Sequence, residues 1–309
     1  MCFQIIAITD RKLCKSQSAN TKNTSKNLAK NIDKFLARLE LLAKSGVDSV
    51  ILREKDLCES EYLALAKEAI GIFENANKAN KTNSTNTNKA NANNSSNECK
   101  LILHNFIEVA YKLEYPFFHA PFSVLEDLAS NKFSCQKISE NGVFGASIHS
   151  LEELAVVLDF GVDYVIAGNV FESDCKDGVR GRGVEFLRKI SSRLECYKND
   201  LTKDFAKNLP IYAVGGICKE NLAMLCKDIK NALPNSHTQA SNNANNKNAE
   251  TSIQKAEIME AKIARAKIAG VCMRSSLMEC ENPKAYITQC KEIFHFTHFR
   301  PNKQRKIGK

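Results

Sequence analysis

Short apolar runs alternate with amphipathic stretches eight times along this chain, and that alternation constrains its fold more than any other feature. Strands are expected near Phe3–Thr9, Ser49–Arg53, Lys100–His104, Phe117–Ala120, Gly142–Ser147, Tyr164–Ala167, Ile211–Val214 and Ala269–Met273. Helices are expected near Leu28–Ser45, Glu59–Glu74, Ile107–Leu113, Val124–Lys132, Leu151–Phe160, Val184–Leu194, Lys219–Lys227 and Pro283–Phe294. Eight of each in strict order is the arithmetic of a closed parallel sheet, an α/β fold of the (β/α)8 TIM-barrel type. The alternative is an open doubly wound sheet. It would normally carry a Gly-rich turn after its first strand, and Thr9-Asp10-Arg11 is not one.

Low-complexity insertions interrupt this pattern near 15–27, 75–98 and 230–252, the last two dominated by Asn, Lys, Ala, Ser and Thr. Such segments bury too little apolar surface to offset the entropy of ordering, so flexible loops are expected there. A helical stretch over Ile253–Lys267 is expected after the last one. Without these pieces about 230 residues remain, close to a typical barrel. The expected organisation is one domain over 1–295 with a basic tail over 296–309.

Composition removes several function classes. At 43% hydrophobic and 26% charged, the 309 residues read as a soluble globular protein. No apolar run approaches the roughly 20 residues of a membrane span. MCFQIIAITD has no basic leader, and the 12 cysteines contain no C-x-x-C pair. Both features suit a cytoplasmic protein with reduced thiols. The net charge of +9 is spread over the insertions and the tail, so no nucleic-acid partner is expected. Barrels of this size often associate, which makes a homo-oligomer an expectation.

Chemistry-bearing residues gather at strand ends, where a parallel barrel builds its site. In ILREKD, Arg53 and Lys55 end the second strand, and strand alternation puts them on one face with Glu54 on the other, suited to an anionic, phosphorylated ligand. Gly215 and Gly216 follow the seventh strand, and Ser275 follows the eighth. Loops at these two positions often bind phosphate through backbone N–H groups. The loop from Gly168 to Gly183 is long and rich in Gly and charge, so an active-site lid with Lys176 meeting an anion is expected. His104, His119 and His149 end three successive strands. The trio could hold zinc, but hydrogen-bonded scaffold is the stronger reading of histidines at strand ends.

The assembly resembles the thiamine-phosphate synthase/TenI family of (β/α)8 barrels, through AITDR at 7–11, ILREKD at 51–56, GASIHSLEE at 145–153, the block 161–183, AVGGI at 213–217 and the Ser275 region. The block 145–183 looks closer to TenI, the thiazole tautomerase branch. The resemblance implies an anion site from Arg53, Lys55 and Lys176. It also implies a thiazole-phosphate site from Ser173 to Cys175, Gly215, Gly216 and Ser275, with Ser147 lining the pocket. Where the synthase branch has Asn-Asp, this chain has His104-Asn105, and the family's second magnesium Asp falls near Val124. Both Mg²⁺ carboxylates are therefore replaced, so no cofactor is expected unless the protein is a divergent synthase. Where TenI has a histidine, this chain has Asn169, which does not titrate. His104 is the candidate replacement acid/base. The expected ligands are small phosphorylated thiazoles or pyrimidines. Three roles follow: TenI-like isomerisation of carboxythiazole phosphate, thiamine-phosphate synthesis, or non-catalytic binding for regulation.

Overall fold

The computed structural model describes residues 3–14, 25–84, 98–130, 142–172, 178, 180–196, 209–231 and 268–299. Eight strands form one closed, all-parallel barrel in sequence order. They are β1 (Gln4–Ile8), β2 (Ser49–Leu52), β3 (Lys100–His104), β4 (Phe117–Ala120), β5 (Val143–Ile148), β6 (Tyr164–Gly168), β7 (Ile211–Val214) and β8 (Ile268–Met273). The helices around them are α1 (Ser25–Ala43), α2 (Glu59–Ser84), α3 (Ile107–Lys112), α4 (Phe122–Ser130), α5 (Leu151–Asp159), α6 (Gly183–Cys196), α7 (Lys219–Asn231), α8 (Ser275–Glu279) and α9 (Pro283–Phe299). The fold is thus a (β/α)8 barrel, as the alternation implies, and each expected strand is present within a residue or two. Among the described residues no helix is long and apolar enough to cross a membrane.

Strand alternation divides the core in two. Ile5 and Ala7 point outward to the helices and join Phe35, Leu39 and Leu42 of α1. Ile6 and Ile8 point inward, with Ile51, Ile102, Tyr164, Ile166 and Tyr212. Strands buried on both faces must be apolar at every position, which is why they read as continuous runs.

Two helices differ from expectation. The stretch 75–98 reads as a loop by composition, yet α2 runs on through Ser84. Ala76 packs into the core, and the Asn77 side chain bonds both backbone groups of Cys99, donating to its O at 3.0 Å and accepting from its N at 3.1 Å. Asn is only a mildly poor helix former, and these tertiary bonds outweigh its propensity. Likewise α1 begins at Ser25, inside the expected 15–27 insertion. The remainder of the insertions, the expected helix over Ile253–Lys267 and the tail from 300 lie outside the described residues.

The barrel closes where β8 pairs with β1, Gln4 opposite Gly270 through Ala7 opposite Met273. A Cβ on Gly270 would stand 1.9 Å from the Gln4 carbonyl oxygen, so only glycine lets the two backbones meet. Arg38 of α1 reinforces the seam from outside. Its Nε and Nη2 donate to the Leu277 carbonyl at 3.0 and 2.5 Å, and Nη2 donates to the Cys280 carbonyl at 2.7 Å. Gly270→Ala should cost about 3 kcal/mol or more, the upper range for overpacking a filled interior. Urea unfolding reads this directly, and an unchanged midpoint would contradict the seam argument.

Candidate active site

The C-terminal ends of the strands surround a cavity of about 500 Å³, lined by residues at or just after the ends of all eight strands. Arg53, Lys55, His104, Ser147, Asn169, Gly215, Gly216 and Ser275 all line it. Eight candidates far apart in sequence therefore share one mouth. Asn105 is not among the lining residues. It turns away in a left-handed conformation (φ 73°), its N–H donating to the His119 carbonyl at 3.3 Å. Ser173, Cys175 and Lys176 lie outside the described residues.

A buried carboxylate positions the cations. β2 ends at Leu52, so Arg53 to Lys55 belong to the turn rather than to the strand as expected. Glu54 points inward and is 3% exposed. It accepts from Thr9 Oγ1 at 2.7 Å, from the Arg11 N–H at 3.1 Å and from Arg11 Nη1 at 3.2 Å. Thr9 Oγ1 in turn accepts from the Arg53 N–H at 2.9 Å. Burial pushes the Glu54 carboxyl up from its ordinary range, and the Thr9 and Arg11 bonds oppose that shift. The clasp anchors the turn between two residues that face the cavity. Local sequence carries no signal for this role of Glu54, whose partners lie more than forty positions upstream.

Gly215 and Gly216 form the corner after β7, with φ of 108° and 59°. A Cβ on Gly215 would stand 2.6 Å from Asn169 Cβ, and one on Gly216 would stand 2.2 Å from the Glu172 carbonyl oxygen. Only glycine suits that backbone and that approach. The N–H groups of Val170 and Phe171 donate to the carbonyls of Val214 and Gly215 at 2.8 and 3.0 Å, so the segment after β6 is laced to this corner. Asn169 is held in the fold there, 4% exposed. Beside the corner stand Ser275 and Arg274, whose Nη1 donates to Asp10 Oδ2 at 3.0 Å. Sequence reading gave Arg274 no role, since nothing near it in sequence signals Asp10.

The floor is polar but uncharged. The His104 and His119 rings stack at 5.8 Å between centroids. His119 Nε2 lies 2.8 Å from Ser147 Oγ, and Nδ1 lies 3.1 Å from the Tyr164 hydroxyl. Burial holds His119 down to about 3. His104 is pushed well below 6.5 by burial, then by His119, Arg53 and Lys55. Both rings are neutral at neutral pH. His104 Nδ1 is buried, and no described residue bonds it. His149 lines the cavity too, with Nδ1 3.4 Å from Glu153 Oε2. Among the described residues no group of three or more His, Cys, Asp or Glu side chains is set to hold a metal ion.

A mouth of cations, a glycine corner and neutral imidazoles at the strand C-termini of a (β/α)8 barrel is an arrangement suited to an anionic ligand. A family model described as thiamine monophosphate synthase matches residues 81–230. The chain is 25% identical over 224 residues to thiamine-phosphate synthase of Caldanaerobacter subterraneus, covering 71% of this chain and 77% of that one. It is 37% identical over 92 residues to thiamine-phosphate synthase of Pyrococcus furiosus, covering 30% and 38%. A solved structure titled thiamine phosphate pyrophosphorylase, from Pyrococcus furiosus, superposes with a TM-score of 0.52 at 17% identity, covering 96% and 97%, and shares the fold. The chain is thus similar to thiamine-phosphate synthases both in sequence and in fold.

The histidines make stability depend on pH. His119 has a folded value of about 3 against an ordinary 6.5, so between those limits the unfolded chain takes up a proton that the fold refuses. Stability therefore falls as pH drops below about 6.5, by up to about 1.4 kcal/mol per unit for each such histidine. Urea titrations at pH 6.5, 5.5 and 4.5 should show His119→Gln losing about 1 kcal/mol per unit less than the parent protein. Parallel pH slopes would show that His119 is not the buried neutral group described.

Proposed function

We propose that this protein binds a phosphorylated thiazole of thiamine biosynthesis in the mouth of the barrel and isomerises its carboxylated form. The observation that carries the reading is His104 Nδ1, a buried ring nitrogen on the cavity with no described partner. A buried polar atom left in that state is costly unless a ligand meets it. The phosphate sits at the Gly215–Gly216–Ser275 corner; Ser173, Cys175 and Lys176, which the resemblance assigns to the same group, lie outside the described residues. Arg53 and Lys55 meet the carboxylate. His104 takes a proton from the ring through Nδ1 and returns it at the carbon where the aromatic isomer needs it, with no net proton change. In the free protein burial above all, then His119 and last the two cations Arg53 and Lys55, disfavour protonated His104. A bound dianion offsets the cations and raises the basicity of His104 when the substrate is present. Asn169, which does not titrate, orients the ring.

The second reading is thiamine-phosphate synthase, the name carried by the curated relatives. Pyrophosphate departure is assisted by Mg²⁺, a hard cation that takes oxygen ligands, carboxylates above all. The two positions that resemblance assigns to those carboxylates hold Asn105, which turns off the cavity lining, and Val124 on α4. Among the described lining residues Glu172 is the carboxylate, across the mouth after β6. This donor set does not fit the metal, and no step is derived through it.

Carboxythiazole phosphate should be converted to its aromatic isomer by the metal-free protein. His104→Ala should lower kcat at least about 100-fold with little change in KM, the usual scale for losing a general base. In the parent protein kcat/KM should stay level from pH 6.5 to 8, because free His104 is already neutral there. Release of pyrophosphate from pyrimidine pyrophosphate and thiazole phosphate would replace this reading with the synthase. Tight binding of the thiazole without turnover would leave a regulator.

A further inference from the structure

The geometry points to a one-way hydrogen-bond chain, Tyr164 to His119 to Ser147, that commits the Ser147 hydroxyl to donating into the cavity, with Tyr164 and His119 as positioning residues. It rests on the reading above only in the choice of probe ligand.

The direction follows from satisfying every buried group. The Tyr164 hydroxyl is buried inside the barrel, and its one described partner is His119 Nδ1 at 3.1 Å. Burial, then Cys272 and Tyr212, pushes that phenol well above 10, so it keeps its proton. A protonated phenol needs an acceptor. If Nδ1 carried the imidazole proton, the phenol oxygen would accept it and the phenol hydrogen would have no described acceptor, at the cost of an unmet buried donor. Nδ1 is therefore the acceptor. The neutral ring, held at about 3 by burial, then carries its single proton on Nε2. That N–H donates to Ser147 Oγ at 2.8 Å. Ser147 Oγ accepts one bond, so its own hydrogen must seek a different acceptor. Ser147 lines the cavity and makes no other described side-chain bond. A ligand acceptor placed over β5 is what remains, such as an uncharged ring nitrogen or a carbonyl oxygen.

The surrounding packing holds the chain in register. The His119 ring lies between His104 at 5.8 Å and Tyr164 at 5.5 Å, both stacked. Tyr212 meets Tyr164 edge-on at 5.5 Å. Room for the phenol comes from Gly145, two residues before Ser147 on the same face of β5. A Cβ there would stand 2.0 Å from Tyr164 Cζ. The site thus recognises a ligand with two distinct ends: an anion against Arg53, Lys55 and the glycine corner, and an uncharged acceptor against Ser147.

Two measurements test this on the full chain. In ligand-free protein labelled with ¹⁵N-histidine, two-bond proton–nitrogen correlations report the His119 tautomer, identified by its contacts to the Tyr164 ring protons. The Nε2–H form is expected, and the Nδ1–H form would overturn the chain. The double variant His119→Phe/Tyr164→Phe keeps the aromatic stack while removing donor and acceptor together, so no buried group is orphaned. Thiazole phosphate should bind it about tenfold more weakly, the worth of one hydrogen bond. Adding Ser147→Ala should weaken binding no further, since the chain acts only through that hydroxyl. Parent-like affinity in the double variant, or a further loss on adding Ser147→Ala, would overturn the inference. Should the parent protein fail to bind thiazole phosphate, the functional reading falls while the tautomer still decides the direction of the chain.

Discussion

The seam between the first and last strands is the constraint on which the site depends. Arg53 and Lys55 follow β2, and the glycine corner and Ser275 follow β7 and β8. In an open sheet of the same order these groups would stand at opposite edges. Closure through β1 makes them neighbours around one rim. The seam holds by backbone pairing that a single glycine permits, with Arg274–Asp10 across the mouth and Arg38 against α8 outside. At the far end Lys291 reaches the Gly46 carbonyl at 2.8 Å and the Asp48 carboxylate at 3.2 Å, while Asp48 accepts from the Ile5 N–H at 2.7 Å. Partly exposed ion pairs of this kind contribute little each. Their value lies in fixing the relative height of the strands.

Charge and neutrality are sorted by depth. Cations occupy the rim, where water shares the cost of keeping them ionised. Imidazoles occupy the floor, where burial strips them of charge. A charged floor would pay a desolvation penalty without a counter-ion, whereas neutral rings can donate and accept hydrogen bonds at fixed positions. The one deeply buried carboxylate near the mouth, Glu54, is tolerated because it accepts from Thr9 and from both backbone and side chain of Arg11.

The sequence made the barrel legible because parallel strands buried on both faces are mostly apolar runs of four to six residues, broken chiefly at their ends and where residues such as His119 and Ser147 face the cavity. It made the strand-end residues legible because the fold itself says where a site must be. Local reasoning could not reach what depends on distant partners. Extending the β2 alternation past Leu52 placed Arg53 and Lys55 correctly at the mouth but for a different reason, since Glu54 rather than strand phase anchors them. Tyr164 reads as one more apolar strand residue, and only its position against Gly145 and His119 gives its hydroxyl a role. Asn-rich composition predicted loop through 75–84, and two hydrogen bonds to Cys99 made it helix. The short α8 and the 3-10 turn Arg11–Cys14 are too brief to leave a periodic signal.

Barrel topology also explains how so irregular a sequence can keep an exact site. Every strand runs toward the cavity and every helix runs back, so a helix-to-strand connection begins and ends on the opposite face. The sequence between α2 and β3, between α4 and β5, and between α7 and β8 joins elements on that face. Lengthening such a connection adds closure entropy only as the logarithm of its length. It moves none of Arg53, His104, Ser147, Gly216 or Ser275, whose spacing is set by strand register and by bonds among strand ends. The segment after β6 is the exception, because it starts at the mouth and is laced to Val214 and Gly215. Changes in length there act on the cavity directly, because Val170 and Phe171 are bonded to the corner that lines it.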